Sequence, residues 1–157
     1  MSLTELPLLL YVLLYFALAA QGVFYLLCFR QVFAEGSPGE FIKMRKKAAP
    51  ILEPRLSIIY YSCLLTGATT LFFSLREGWS ASTFFTLISY CFLLADVVLA
   101  KKFNIPLNSA IALIDPDTVS SPQAADIQQT WLRWIGIRGR IMISGFVLIL
   151  VQNFYFS

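Results

Sequence analysis

Asp96, Asn104, Asn108, Trp131 and Arg138 lie within one stretch of an otherwise apolar chain, and they are the side chains best equipped for chemistry. Asp96 is flanked by Leu93-Leu94-Ala95 and Val97-Val98-Leu99-Ala100, about one and a half helical turns inside Lys101. A carboxylate at that depth is costly unless it is paired or faces water. It therefore marks either a group that handles a ligand or proton, or one half of an ion pair between helices, with Arg138 or Arg140 as partner. Asn104 and Asn108 are four residues apart, hence on one helical face, with Pro106 opening the backbone between them. Their carboxamides suit a polar head or a substrate oxygen, and equally suit hydrogen bonds between helices. Trp131 and Trp134 are three apart near the same depth, where tryptophans act first as membrane anchors and second as a stacking surface.

These groups need a scaffold, and composition limits which. Of 157 residues 58 % are hydrophobic and 13 % charged, which places the chain among polytopic membrane proteins rather than soluble domains. Histidine is absent, which excludes His-ligated haem and His-based metal sites and removes the commonest general base. Cys28, Cys63 and Cys91 stand singly, with no C-x-x-C pair, so they read as small buried hydrophobes rather than disulfides or metal ligands. No nucleophile–base pair, Gly-rich phosphate loop or nucleotide fingerprint is present, and no metal or cofactor is implied. Gly136 and Gly139 read as helix-packing residues.

The apolar runs define one transmembrane domain, residues 1–157, with spans at about 6–29, 56–75, 82–100 and 141–156. The first run has no Lys or Arg before it and no cleavage pattern after it, so it is expected to be a retained span. Ser37-Pro38-Gly39-Glu40 is a capping box, predicting a short helix through Lys47. Phe41, Ile42 and Met44 would face lipid, and Lys43, Arg45, Lys46 and Lys47 anionic headgroups, unless the segment is simply a solvated basic loop. Pro54 is expected to open the second span, whose Thr66-Gly67-Ala68-Thr69-Thr70 face should pack on a neighbour. The Arg76 to Ser80 connection is short enough to make spans two and three antiparallel, with Trp79 as an interfacial anchor. Beyond span three the helix continues with a kink at Pro106 and ends at Asp115-Pro116-Asp117; Ser121-Pro122 starts another that runs into span four.

Eleven of the twelve Lys and Arg residues lie in segments 30–55 and 101–140, and only Arg76 lies elsewhere. The positive-inside rule then places both segments in the cytoplasm and both termini outside an inner, or cell, membrane. The expected fold is an all-α antiparallel four-helix bundle with helices three and four extended on the cytoplasmic side. Gln21, Arg30, Arg55, Asp96, Asn104, Arg138 and Arg140 come to similar depths in it. A ligand site of Asp96, Asn104, Asn108, Arg138 and Arg55 follows.

The order of elements, with Ile105-Pro106-Leu107-Asn108 after span three and Trp131 then Arg138 leading into span four, resembles the membrane family that includes the anthrone oxygenases. That resemblance implies a small four-helix membrane protein. Some members oxidise polycyclic phenols without a known metal or flavin, with Asn108, Trp131 and Arg138 lining the polar site. Relatives commonly carry a His between this Trp and Arg, whereas Leu132 to Ile137 contain none.

Three functions are consistent with this reading. The first is a binding protein holding the head of an amphiphilic or aromatic small molecule in a cytoplasm-facing polar pocket. The second is a cofactor-independent oxygenase with Asp96 as base and Arg138 stabilising a phenolate. The third is a small transporter or channel subunit. The partners are the lipid bilayer, anionic lipid at the basic segment, a small amphiphile and a second copy in a homo-oligomer; a nucleic-acid role has no support.

Overall fold

The computed structural model describes residues 5–116 and 121–155, and among these the chain is helical with no strand. Four helical rods form an antiparallel bundle: α1 (Glu5–Glu35), α2 (Pro38–Glu77), α3 (Ala81–Leu113) and α4 (Ser121–Tyr155). All four contain a stretch long and apolar enough to cross a membrane. Outward-facing Leu13, Phe16, Ile58, Leu65, Phe72 and Val98 are more than half exposed, as a lipid-facing surface requires. The chain is thus a small polytopic membrane protein.

The rods are longer than the spans. α2 has 40 residues, and at about 1.5 Å per residue it is roughly twice as long as a hydrocarbon core is thick. The expected extension of α3 and α4 is present, and α1 and α2 extend beside them. Residues 30–55 are therefore helix rather than loop, apart from the Gly36-Ser37 connection. Ser37 makes the expected capping box: its hydroxyl accepts from the Glu40 N–H at 3.3 Å, while its own N–H donates to the Glu40 carboxylate at 3.2 Å.

Two expectations for this segment are corrected. Pro54 does not begin a helix, because α2 runs through both Pro50 and Pro54 without a break. Each proline removes one backbone donor, but the helix on either side is held by packing against its neighbours, which overrides the local preference. Phe41 and Ile42 face protein rather than lipid. They join Phe33, Ile111, Ala124, Trp131 and Leu132 in a core between the projecting halves of the rods.

A second core lies further along the bundle, built from Tyr11, Tyr15, Leu18, Cys63, Leu93, Met142 and Ile149. Glycines let the helices approach closely here, backbone to backbone at Gly22 and backbone to ring at Gly67. A Cβ on Gly22 would sit 3.1 Å from the Gly139 Cα, and one on Gly67 would sit 2.6 Å from the Tyr11 ring. The Thr66 to Thr70 face packs as expected, with Thr66, Thr69 and Thr70 hydroxyls returning to their own helix carbonyls. By contrast, Gly136 has nothing within 4 Å of its Cβ position.

Two wide π-helical turns interrupt the rods between the cores, Tyr25–Phe29 in α1 and Ala100–Asn104 in α3. The second immediately precedes Pro106, where a kink is expected. The Ile105 N–H reaches back to the Ala100 carbonyl, five residues away, making room for the ring that follows. Asp117, the Ser121 side chain and Phe156, expected to end one helix, cap the next and close the last span, lie outside the described residues.

Candidate functional site

The wide turn in α3 aligns the polar residues. Asp96 and Asn104 are eight residues apart, which on an uninterrupted α-helix would place them about 80° apart around the axis. The π turn absorbs one residue, so the separation becomes about two whole turns and both side chains face the bundle. Asn108 follows one turn later on the same side.

Asp96 is fully buried and meets Arg138 of α4 in a forked ion pair. The guanidinium Nε donates to Oδ1 at 2.8 Å and Nη2 to Oδ2 at 3.0 Å. This two-point geometry is the strong form of the interaction. Tyr60 of α2 completes the cluster, donating its hydroxyl to Asp96 Oδ2 at 2.6 Å and accepting from Arg138 Nη2 at 3.1 Å. Of the two candidate partners only Arg138 serves; Arg140 is exposed.

A second polar cluster surrounds Asn108. Its Oδ1 accepts from Trp131 Nε1 at 3.1 Å and from Arg45 Nη2 at 3.2 Å, while its Nδ2 donates to Glu53 Oε1 at 2.8 Å. Trp131 is only 1 % exposed, so its reading as a membrane anchor is corrected. Tyr25, Phe33 and Phe41 meet its ring edge-on, and the Arg45 guanidinium lies 4.7 Å from its centroid. Trp134 stacks on Phe103 with centroids 3.7 Å apart.

Arg45 also departs from its expected place among the lipid-facing cations. It is 6 % exposed and turned into the bundle, because Arg45 shares the inner side of α2 with Phe41 and Ile42. Lys46 donates to the Ile114 carbonyl at 2.7 Å, tying α2 to the end of α3, whereas Lys43 and Lys47 stay on the exposed face.

The two clusters share one cavity of about 250 Å³ between the two cores. Asp96, Asn104, Asn108, Trp131 and Arg138 all line it, as do Arg45, Glu53 and Tyr60, with Leu18, Leu56, Ile135 and Met142 among the apolar walls. Gln21, expected at this depth, lines it too. Arg55 does not: it lies on an exposed face of α2, and Arg30 is exposed on α1. Depth along a helix follows from sequence position, but the direction of the side chain depends on how the rod is rotated.

Asn104 is the exceptional member. It is 4 % exposed, yet neither its Oδ1 nor its Nδ2 has a hydrogen-bond partner among the described residues, and the Nε of Arg45 is in the same condition. Buried polar groups are nearly always paired, so these three atoms stand out. No three Cys, Asp or Glu side chains converge as a metal site would require, among the described residues.

Sequence reasoning missed Tyr60, Glu53 and the inward role of Arg45. A signal existed: Arg45, Glu53 and Tyr60 are spaced by eight and seven residues, which is one stripe of a continuous helix. Reading Pro54 as a helix start concealed it. No protein-family model matches this chain, and no curated protein or solved structure matches it.

Proposed function

We propose that this membrane protein binds an amphiphilic or aromatic small molecule in the cavity between its two cores, polar head against the Asn104 and Asn108 side of α3. The carrying observation is the convergence of Arg45, Asp96, Asn104, Asn108, Trp131 and Arg138 on one cavity whose remaining wall is apolar. Ligand sites have this make-up, a mostly apolar enclosure with a few placed polar groups. Asn108, Trp131 and Arg138, the residues singled out by the likeness to the anthrone oxygenase family, all belong to it.

The ion pair favours binding over base catalysis. Both Asp96 oxygens are engaged, by two guanidinium donors and the Tyr60 hydroxyl, so the carboxylate acts as an anchor for Arg138 rather than as a proton acceptor. The polar end of the bundle, which carries eleven of the twelve cations, faces the cytoplasm in this reading.

Non-denaturing mass spectrometry of the purified protein tests the proposal against Ala100→Phe, which fills the cavity from α3. The wild type should retain a small molecule that the variant has lost. Identical bound species in both proteins would eliminate the cavity as a ligand site.

A further inference from the structure

A cluster on the outer face of α3 and α4, away from the cavity, has the make-up of a lipid headgroup site. Phe103 of α3 and Trp134 of α4 stack with their planes 8° apart and their centroids at 3.7 Å. The stack fixes the depth of both. Phe103 stands three residues past the third span, so Trp134 and its neighbour Arg133 lie about 5 Å beyond the hydrocarbon edge, at the level of the headgroups.

Three cations surround the stack. The Lys102 ammonium is 5.4 Å from the centroid of the Phe103 ring, and Arg133 directly precedes Trp134. Arg140 follows Arg133 by seven residues, on the same side of α4, and its long stem can carry the guanidinium back to the headgroup level. All three are exposed, and none is paired with a carboxylate among the described residues. Asp126, the acid of α4, lies two turns further from the span.

Guanidinium and ammonium groups at one point offer charge-assisted donors to phosphate oxygens. Toward the membrane the surface turns apolar. Leu99 and Ala95 precede Lys102 by three and seven residues on one stripe of α3, and Ile137 lies one turn from Arg133 on α4. An acyl chain joined to the phosphate has a wall to lie against there, which a free phosphate would leave unused.

The segment expected to meet anionic lipid offers no such place. Arg45 is turned into the bundle, and Lys46 is tied to the Ile114 carbonyl. Lys47 is eight residues, about 12 Å, beyond Arg55 at the end of the second span.

We propose that the α3–α4 face at Lys102, Arg133 and Arg140 binds an anionic phospholipid of the surrounding bilayer, its phosphate among the cations beside the Phe103–Trp134 stack and an acyl chain along the apolar surface below.

The test uses the full chain in nanodiscs of equal parts dioleoyl phosphatidylglycerol and dioleoyl phosphatidylcholine, with retained lipid identified by non-denaturing mass spectrometry. The wild type should keep phosphatidylglycerol in preference to phosphatidylcholine. Lys102→Gln with Arg133→Gln should lower that preference about 10- to 30-fold, since each cation at an anionic surface contributes about fivefold. Arg30→Gln with Arg55→Gln removes the same charge at the cytoplasmic ends of the first two spans and should leave the preference unchanged. Equal retention of the two lipids by the wild type overturns the proposal, whether or not any variant folds. Equal loss in the two double variants overturns it in favour of a diffuse attraction by all the cations. Inorganic phosphate displacing phosphatidylglycerol at millimolar concentration overturns the lipid as occupant. Ala100→Phe, which fills the cavity, should keep its phosphatidylglycerol; loss of the lipid in that variant would place it in the cavity and overturn the surface site.

Discussion

Arg138 grips Asp96 through two parallel hydrogen bonds, of 2.8 and 3.0 Å, and thereby locks α4 to α3 at the floor of the cavity. Tyr60 joins α2 to the same point. One residue further along α4, Gly139 lies against Gly22 and brings in α1. All four rods are thus registered at a single depth, which is where a binding site needs its walls fixed.

Breaking the pair on one side should be costly. Asp96→Asn keeps the shape but strands a buried guanidinium, with an expected loss of about 3–5 kcal/mol. Replacing both partners, as Asp96→Leu with Arg138→Met, should recover much of it because no unpaired charge remains. Unfolding of the detergent-solubilised protein followed by circular dichroism measures both; a wild-type midpoint for Asp96→Asn would refute the anchoring role.

Tyr60→Phe removes only the hydroxyl that serves both ions. A loss of about 1.5–3 kcal/mol is expected, as for hydrogen bonds to charged groups, and less than that of Asp96→Asn. The same unfolding assay ranks the two variants, and the reverse order would contradict the geometry.

Gly22→Val places side-chain atoms where the Gly139 backbone lies 3.1 Å from the Cβ position. The rods must separate, at a cost of about 1–3 kcal/mol for overpacking. Gly136→Ala, with open space at its Cβ, should be neutral or slightly stabilising, since alanine is the better helix former. Thermal midpoints of the two variants should differ in that direction; equal midpoints would mean that α1 and α4 do not touch there.

The orientation is open to cysteine labelling. In a background with Cys28, Cys63 and Cys91 replaced by alanine, Lys47→Cys and Lys101→Cys should react with an impermeant maleimide only from the cytoplasmic side. Trp79→Cys, in the α2–α3 turn at the opposite end, should react only from outside. Lys47→Cys and Lys101→Cys labelled from opposite sides would break the antiparallel arrangement itself.

Much of the architecture was legible because it rests on local or one-dimensional signals. Apolar run length gave four spans, the Ser37 box gave the start of α2, and the short Arg76 to Ser80 connection gave an antiparallel pair. Asp96 stood out because an isolated carboxylate in an apolar run demands a partner, and Arg138 was one of two within reach. What failed, failed for a physical reason. Pro54 signals a break when only backbone donors are counted, yet packing carries α2 through it. Phe41, Ile42 and Arg45 form an amphipathic pattern that fits a membrane surface as well as a protein core, and sequence does not say which one covers it.

The amino-acid sequence by itself determined that this is an all-helical membrane protein with its cations at one end and its unusual polar residues at one depth, because hydrophobic length and charge distribution are properties of the chain alone. Only the tertiary structure decided which of those residues meet. A single extra residue in the turn at Ala100–Asn104 rotates Asn104 into line with Asp96, and the rotation of α2 turns Arg45 and Tyr60 inward, sets Glu53 at the exposed edge of the cavity and leaves Arg55 outside. Rotation about a helix axis is set by the sum of contacts with three neighbours, and no local pattern in the chain encodes it.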